Sequence, residues 1–162
     1  MPNSYRMTLD GWSKALSGEG CPFCSPRADD NAFWLKVETL PSSTLYLARD
    51  QRFHGRCLLI HDRGHQVGIE SLPARDAAAV FADVHRCAGA LRGALRCDLV
   101  NIASLGNQIA HLHWHLIPRF VGDPRWGAPP WTTAPNEIAA RSIPDADLAS
   151  LGSLLRSELS KQ

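Results

Sequence analysis

Short apolar-rich runs bounded by polar turn residues mark the first half of this chain. Phe33–Val37, Thr44–Arg49 and Arg56–His61 each read as a strand. Pro41-Ser42-Ser43 and Asp50-Gln51 supply the turns between them. Such close spacing predicts an antiparallel meander. A longer period follows. Ala77, Val80, Phe81, Val84, Ala88, Leu91 and Leu95 recur at helical spacing, predicting one long helix over Ser71–Arg96. Ser71 is its expected N-cap, with Pro73 just inside, where a missing N–H costs nothing. Residues 98–104 and 110–118 read as two further strands, joined by Leu105-Gly106-Asn107-Gln108. Val121–Pro135 is rich in Pro, Gly and Trp and has no period. A last helix is expected from Pro144 to Leu159, with Leu148, Leu151, Leu155 and Leu159 on one face, and a short one around Trp12–Leu16. The fold expected is α+β: about five antiparallel strands, one long helix and a C-terminal helix.

Composition narrows the partners. The chain has 162 residues, enough for one domain with a sizeable core, and 44% of them are hydrophobic. Lysine and arginine number 17 against 16 acidic residues, a net charge of +1. No global field therefore draws in nucleic acid or an anionic membrane, and an anionic ligand has to be held by local groups. No apolar run approaches the roughly 18 residues of a membrane-spanning helix. The first residues carry Arg6, Asp10 and Lys14 without an apolar stretch, unlike a signal peptide. A cytoplasmic protein is expected. Five cysteines in a chain of this length do not make a disulfide scaffold. Cys57, Cys87 and Cys97 stand singly in apolar surroundings and are expected to be buried thiols.

The chemistry concentrates in His111-Leu112-His113-Trp114-His115-Leu116-Ile117. On a strand, alternate side chains share a face. Three imidazoles then point one way, about 7 Å apart along the strand. Leu112, Trp114 and Leu116 point the other way, into a core. Two chemistries suit such a row. A pair of the histidines could hold a zinc ion in an open catalytic site, which also needs a nearby carboxylate base, and none flanks the row. Alternatively, a neutral imidazole could attack phosphorus while its neighbours position the phosphate. Cys21-Pro22-Phe23-Cys24 has the spacing at which two thiolates share a metal ion. The same pair could be a redox couple, without the usual strand-to-helix setting, or two unpaired thiols.

The run His111–Ile117 fits His-φ-His-φ-His-φ-φ, φ being apolar, at every position, and the chain resembles the histidine triad (HIT) family of nucleotide hydrolases and transferases. The Pro118-Arg119 that follows is similar too. Asn101 through Gly106-Asn107 resembles the family's Asn-containing segment ending in Gly-Gln, with Asn107 in place of Gln. Arg56 through His65 and the Ser71–Arg96 helix resemble its strand, basic turn and long helix. Gly122-Asp123-Pro124-Arg125-Trp126 through Trp131 looks like a bacterial, zinc-binding branch. The likeness covers about residues 20–135. It implies an N-terminal extension over 1–20, a HIT-like domain over 21–135 and a helical tail over 136–162 packed on the same domain.

The resemblance implies that His113 attacks the α-phosphorus of a nucleoside phosphate derivative, either a dinucleoside polyphosphate or a phosphoramidate, giving a nucleotidyl-histidine. His115 would contact the phosphate, as would Asn107; Asn101 would bind near phosphate or ribose, and Asp50 the ribose hydroxyls. Arg56 stands near a position where many relatives carry histidine, and could bind phosphate as a fixed, forked cation. Cys21, Cys24, His65 and His111 would hold a structural zinc, with His61 as a competitor for the place of His65. A homodimer is implied as well. Two other functions fit the residues: a zinc-dependent hydrolase built on the triad, and a non-catalytic nucleotide-binding module.

Overall fold

The fold is a computed structural model that describes residues 7–123, 126–132 and 140–162. Five strands make one antiparallel sheet: β1 (Trp34–Thr39), β2 (Ser43–Ala48), β3 (Cys57–His61), β4 (Leu99–Ala103) and β5 (His113–Arg119). Their spatial order is β1-β2-β3-β5-β4, so β5 enters between β3 and β4. Helix α1 spans Leu9–Ser17, α2 Ala74–Leu95 and α3 Asp145–Leu159. The expected α+β class and five-stranded antiparallel sheet are present, with three helices. The predicted strands lie within two residues of the observed ones, save at the start of β5.

One face of the sheet carries the core. Leu45, Leu47, Cys57, Leu59 and Leu116 project from it toward Val84, Cys87 and Leu91 of α2. The four leucines foreseen on the last helix, Leu148, Leu151, Leu155 and Leu159, close the same core. Cys57, Cys87 and Cys97 are buried free thiols, as expected. Trp114 lies on this side too, its ring 5.4 Å from that of Phe81.

Three expectations need correction. Pro73, not Ser71, is the N-cap of α2. Ser71 sits in the preceding 3₁₀ turn, where its hydroxyl donates to the Gly68 carbonyl. That local bond takes the hydroxyl away from the helix. Phe81 is 50% exposed, so the buried stripe of α2 runs through Val80, Val84, Cys87 and Leu91 instead. Strand β5 begins at His113, so His111 precedes it: the Leu112 N–H donates to Gln66, outside the ladder.

Candidate active site and metal centre

The opposite face of the sheet holds the chemistry. Register pairs His115 of β5 with Leu58 of β3, and His113 with Ile60. Alternation places Arg56, at the entrance to β3, on that same face. The β2–β3 turn is built to deliver it. Buried Gln51 donates to the Ala48 carbonyl at 2.5 Å and accepts from the Gly55 N–H at 2.7 Å. Gly55 has φ +79°, and a Cβ there would collide with Leu95, so glycine is required on both counts.

His113 is 6% exposed, and its Nδ1 lies 2.6 Å from the His111 carbonyl oxygen. A carbonyl only accepts, so the proton sits on Nδ1 and Nε2 keeps its lone pair. Burial lowers the pKa of His113, partly opposed by that hydrogen bond. The two rings of His113 and His115 stand 5.1 Å apart, nearer than the strand spacing because they lean together edge to face. Burial, then His113, then Arg56 push His115 down to about 4. Both imidazoles are therefore neutral at neutral pH, a state fit for nucleophilic attack and not for holding a standing positive charge.

A cavity of about 440 Å³ is walled by Phe23, Phe33, Trp34, Leu58 and Ile109. Phe23, whose ring meets His113, ties it to the histidine row, and neither His113 nor His115 is on its wall. Its two charged residues are Asp50 and Arg56. An apolar slot of this size with a few polar groups suits a flat aromatic ligand with a polar end. Asp50 is occupied: its carboxylate accepts from the Arg52 N–H at 3.1 Å and from Arg52 Nε at 2.7 Å. Burial raises its pKa, and the bonds from Arg52 outweigh that and leave it low. Asn101 accepts from Arg119 at 2.9 Å, and Arg119 is buried against Asp123 as well. Asn107 is exposed in the turn before the triad.

Beside the triad lies a second constellation. One donor atom from each of Cys21, Cys24, His65 and His111 falls within 4.8 Å of every other. Cys21 Sγ is 3.5 Å from His111 Nδ1, Cys24 Sγ 3.4 Å from the same nitrogen, and Cys24 Sγ 3.3 Å from His65 Nδ1. A tetrahedral zinc with its usual bonds to sulfur and nitrogen sets these separations at about 3.5 Å. The outer nitrogens agree. His111 Nε2 donates to the His61 carbonyl at 2.8 Å and His65 Nε2 to the Ala15 carbonyl at 3.0 Å. Each N–H is therefore fixed away from the cluster and each Nδ1 lone pair points into it, as metal ligands require. Gly18, at φ +78°, closes over this corner: a Cβ there would lie 2.9 Å from the His65 ring. His61 contributes its carbonyl, not its ring. The ring is buried on the core side of β3, opposite Ser43.

Phe23, inside the Cys-x-x-Cys loop, joins the two constellations. Its ring meets His111 at 5.7 Å and His113 at 5.2 Å, both edge to face. Arg27 pins the loop to the sheet by donating to the Phe23 carbonyl, to Tyr46 Oη at 2.9 Å and to Asp62. Sequence reasoning missed Phe23, Arg27 and Gln51 as site-building residues. Only Phe23 had a signal, its place between the cysteines. A larger hollow of about 710 Å³ opens on the metal side, walled by Cys24, Arg27, Asp62 and His65 among others, with neither His113 nor His115 on its wall.

An antiparallel α+β sheet that presents a neutral histidine row beside an apolar slot defines a nucleotide-site class of protein. Residues 36–122, more than half of the chain, match the HIT domain, and the chain belongs to that family, one of nucleotide-binding hydrolases and transferases. Solved structures agree. A histidine triad protein from Bradyrhizobium japonicum is 27% identical, with TM-score 0.72, over 85% of this chain and 99% of its own. One from Sinorhizobium meliloti is 25% identical, with TM-score 0.70, over 77% and 89%. A Zn-bound histidine triad family protein from Mycobacterium smegmatis is 26% identical, with TM-score 0.57, over 78% and 84%. No curated protein matches the chain significantly.

Proposed function

We propose that this chain cleaves nucleoside phosphate derivatives at the α-phosphate, through a covalent nucleotidyl-histidine on His113. The observation that carries the reading is the fixed tautomer of His113, whose Nδ1–H is held by the His111 carbonyl. Nε2 is thereby left as the nucleophile. His115 and Arg56 face the phosphate, and the slot lined by Trp34 and Leu58 takes the base. Asn107 reaches the phosphate from the preceding turn, and Asn101 and Asp50 line the approach to the ribose. Water, or another acceptor, then takes the nucleotidyl group from His113.

Cys21, Cys24, His65 and His111 would hold zinc, as in the zinc-binding branch of the family. A closed four-ligand ion supplies structural cohesion and leaves no open position for substrate. This favours the covalent reading over a zinc hydrolase built on the triad, because His111 turns its lone pair to the cysteines and His113 does not. The residues divide, on this reading, into an extension over 1–20, the HIT-like domain over 21–135 and a helical tail over 136–162. We also propose a cytoplasmic homodimer that acts on small nucleotides. β4 is an outer strand, and Leu99 and Ile102 on it are 47% and 45% exposed, as is Phe81 on α2 at 50%. An apolar sheet edge of this kind invites a partner strand. Ile102→Glu should then halve the mass measured by light scattering.

Incubation with a panel of dinucleoside polyphosphates and nucleoside phosphoramidates tests the function. Turnover by wild-type protein and none by His113→Asn is expected. Binding without turnover across the panel would favour a non-catalytic module.

A further inference from the structure

Resting on that reading, we propose that Arg56 sets the leaving-group preference of the site. It selects phosphoric anhydrides, whose departing group is an anionic phosphate, over phosphoramidates, whose departing group is an amine.

Three observations place the charge. Arg56 precedes Cys57, which pairs with Leu116, so it stands across from Ile117 and one step along the histidine face from His115. It lines the apolar slot, and its side chain is 27% exposed. Its Nε is buried and has no hydrogen-bond partner. A buried guanidinium N–H without a partner is costly, and an anionic ligand would supply one. The nearest carboxylate pairs with it only at long range: Asp50 lies 4.0 Å away and is bound more closely to Arg52, at 2.7 Å.

The chemistry then discriminates. Attack by His113 Nε2 forms a nitrogen–phosphorus bond and breaks the bond from phosphorus to the leaving group. In an anhydride, the electron pair departs on oxygen, and the released phosphate gains one negative charge without needing a proton. In a phosphoramidate the departing nitrogen has to collect a proton. Among the described residues, the slot's wall offers a fixed cation and no acid ready to donate. Asp50 is an ionised partner of Arg52, and His115, pressed down to about 4 first by burial, carries no spare proton at neutral pH. Water next attacks phosphorus, the nitrogen–phosphorus bond breaks, and one proton is released to solvent. A forked, permanently charged guanidinium suits the phosphate and does nothing for the amine.

The test is kcat/KM for diadenosine tetraphosphate and for adenosine 5′-phosphoramidate in wild type, Arg56→Gln and Arg56→Lys. Arg56→Gln should lower the anhydride-to-amidate ratio by about 10- to 100-fold, the scale of a charged hydrogen bond. Arg56→Lys, which keeps the charge, should hold the loss in that ratio to about tenfold or less. Both substrates meet the same preparation, so a folding defect cancels from the ratio. An unchanged ratio in Arg56→Gln, whether both rates fall together or neither falls, overturns the assignment and leaves the nucleotidyl-histidine reading standing. A wild-type protein that forms no covalent adduct with either compound overturns both.

Discussion

The metal corner and the nucleotide corner share one histidine and differ in nearly everything else. At the metal corner every donor faces another donor, and each outer nitrogen of His65 and His111 is fixed by a carbonyl. At the nucleotide corner groups are left over: Arg56 Nε has no partner, and His113 Nε2 bonds to nothing among the described residues. A closed set of donors stabilises a fold, whereas an open set waits for a ligand. His111 belongs to both, with its ring at the metal corner and its carbonyl on His113. The corner that holds the N-terminal segment in place thus also sets the tautomer of His113, the proposed nucleophile.

Substitutions confined to one corner should separate the two. His113→Asn should lower turnover on the order of 10³-fold or more. It should leave bound zinc and Tm unchanged, as read by metal analysis and calorimetry. Cys24→Ser, or chelation, should do the reverse first. Zinc content falls, and stability measured by urea unfolding drops by several kcal/mol, because ion binding to a preformed site is coupled to folding. Activity loss that precedes any loss of stability would point to a catalytic ion instead.

Phe23→Ala strikes both corners at once. Deleting a buried phenyl ring costs about 3–5 kcal/mol, and here the space opens between His111 and His113. Denaturant unfolding, zinc affinity and kcat should all fall. A variant that keeps both site functions at reduced stability would show that the ring only fills space.

Much of this arrangement was legible in the chain. Short apolar runs with their turn signals found four strands within two residues, and helical spacing placed Leu148, Leu151, Leu155 and Leu159 on a buried face, because each signal is local. The Cys-x-x-Cys spacing and the triad flagged Cys21, Cys24 and His111, and the family resemblance added His65; all four gather in the cluster. Long-range geometry was hidden. No period marks Gln51, whose buried amide shapes the turn before Arg56, or Arg27, which fastens the cysteine loop from another element. The uniform alternation of His111–His115 also concealed that His111 lies outside the ladder. Its N–H donates to Ile109, so its ring is free to turn toward the cysteines.

A smaller effect sharpens the nucleotide corner. His115 titrates at about 4 in the folded protein, pushed down by burial, His113 and Arg56, against about 6.5 when unfolded. The unfolded chain takes up the proton first as pH falls. Stability is full above about 6.5 and declines toward 4, by on the order of 3 kcal/mol from this group. His115→Asn should flatten that slope in chemical denaturation at a series of pH values. A slope unchanged by the substitution would place the titration elsewhere.

The most direct measurement is the intact mass of the protein quenched during turnover of an adenylyl substrate. One adenylyl group per chain is expected, mapped by fragmentation to His113 and missing from His113→Asn. An adduct that persists in that variant, or one mapped to His111 or His115, would contradict it.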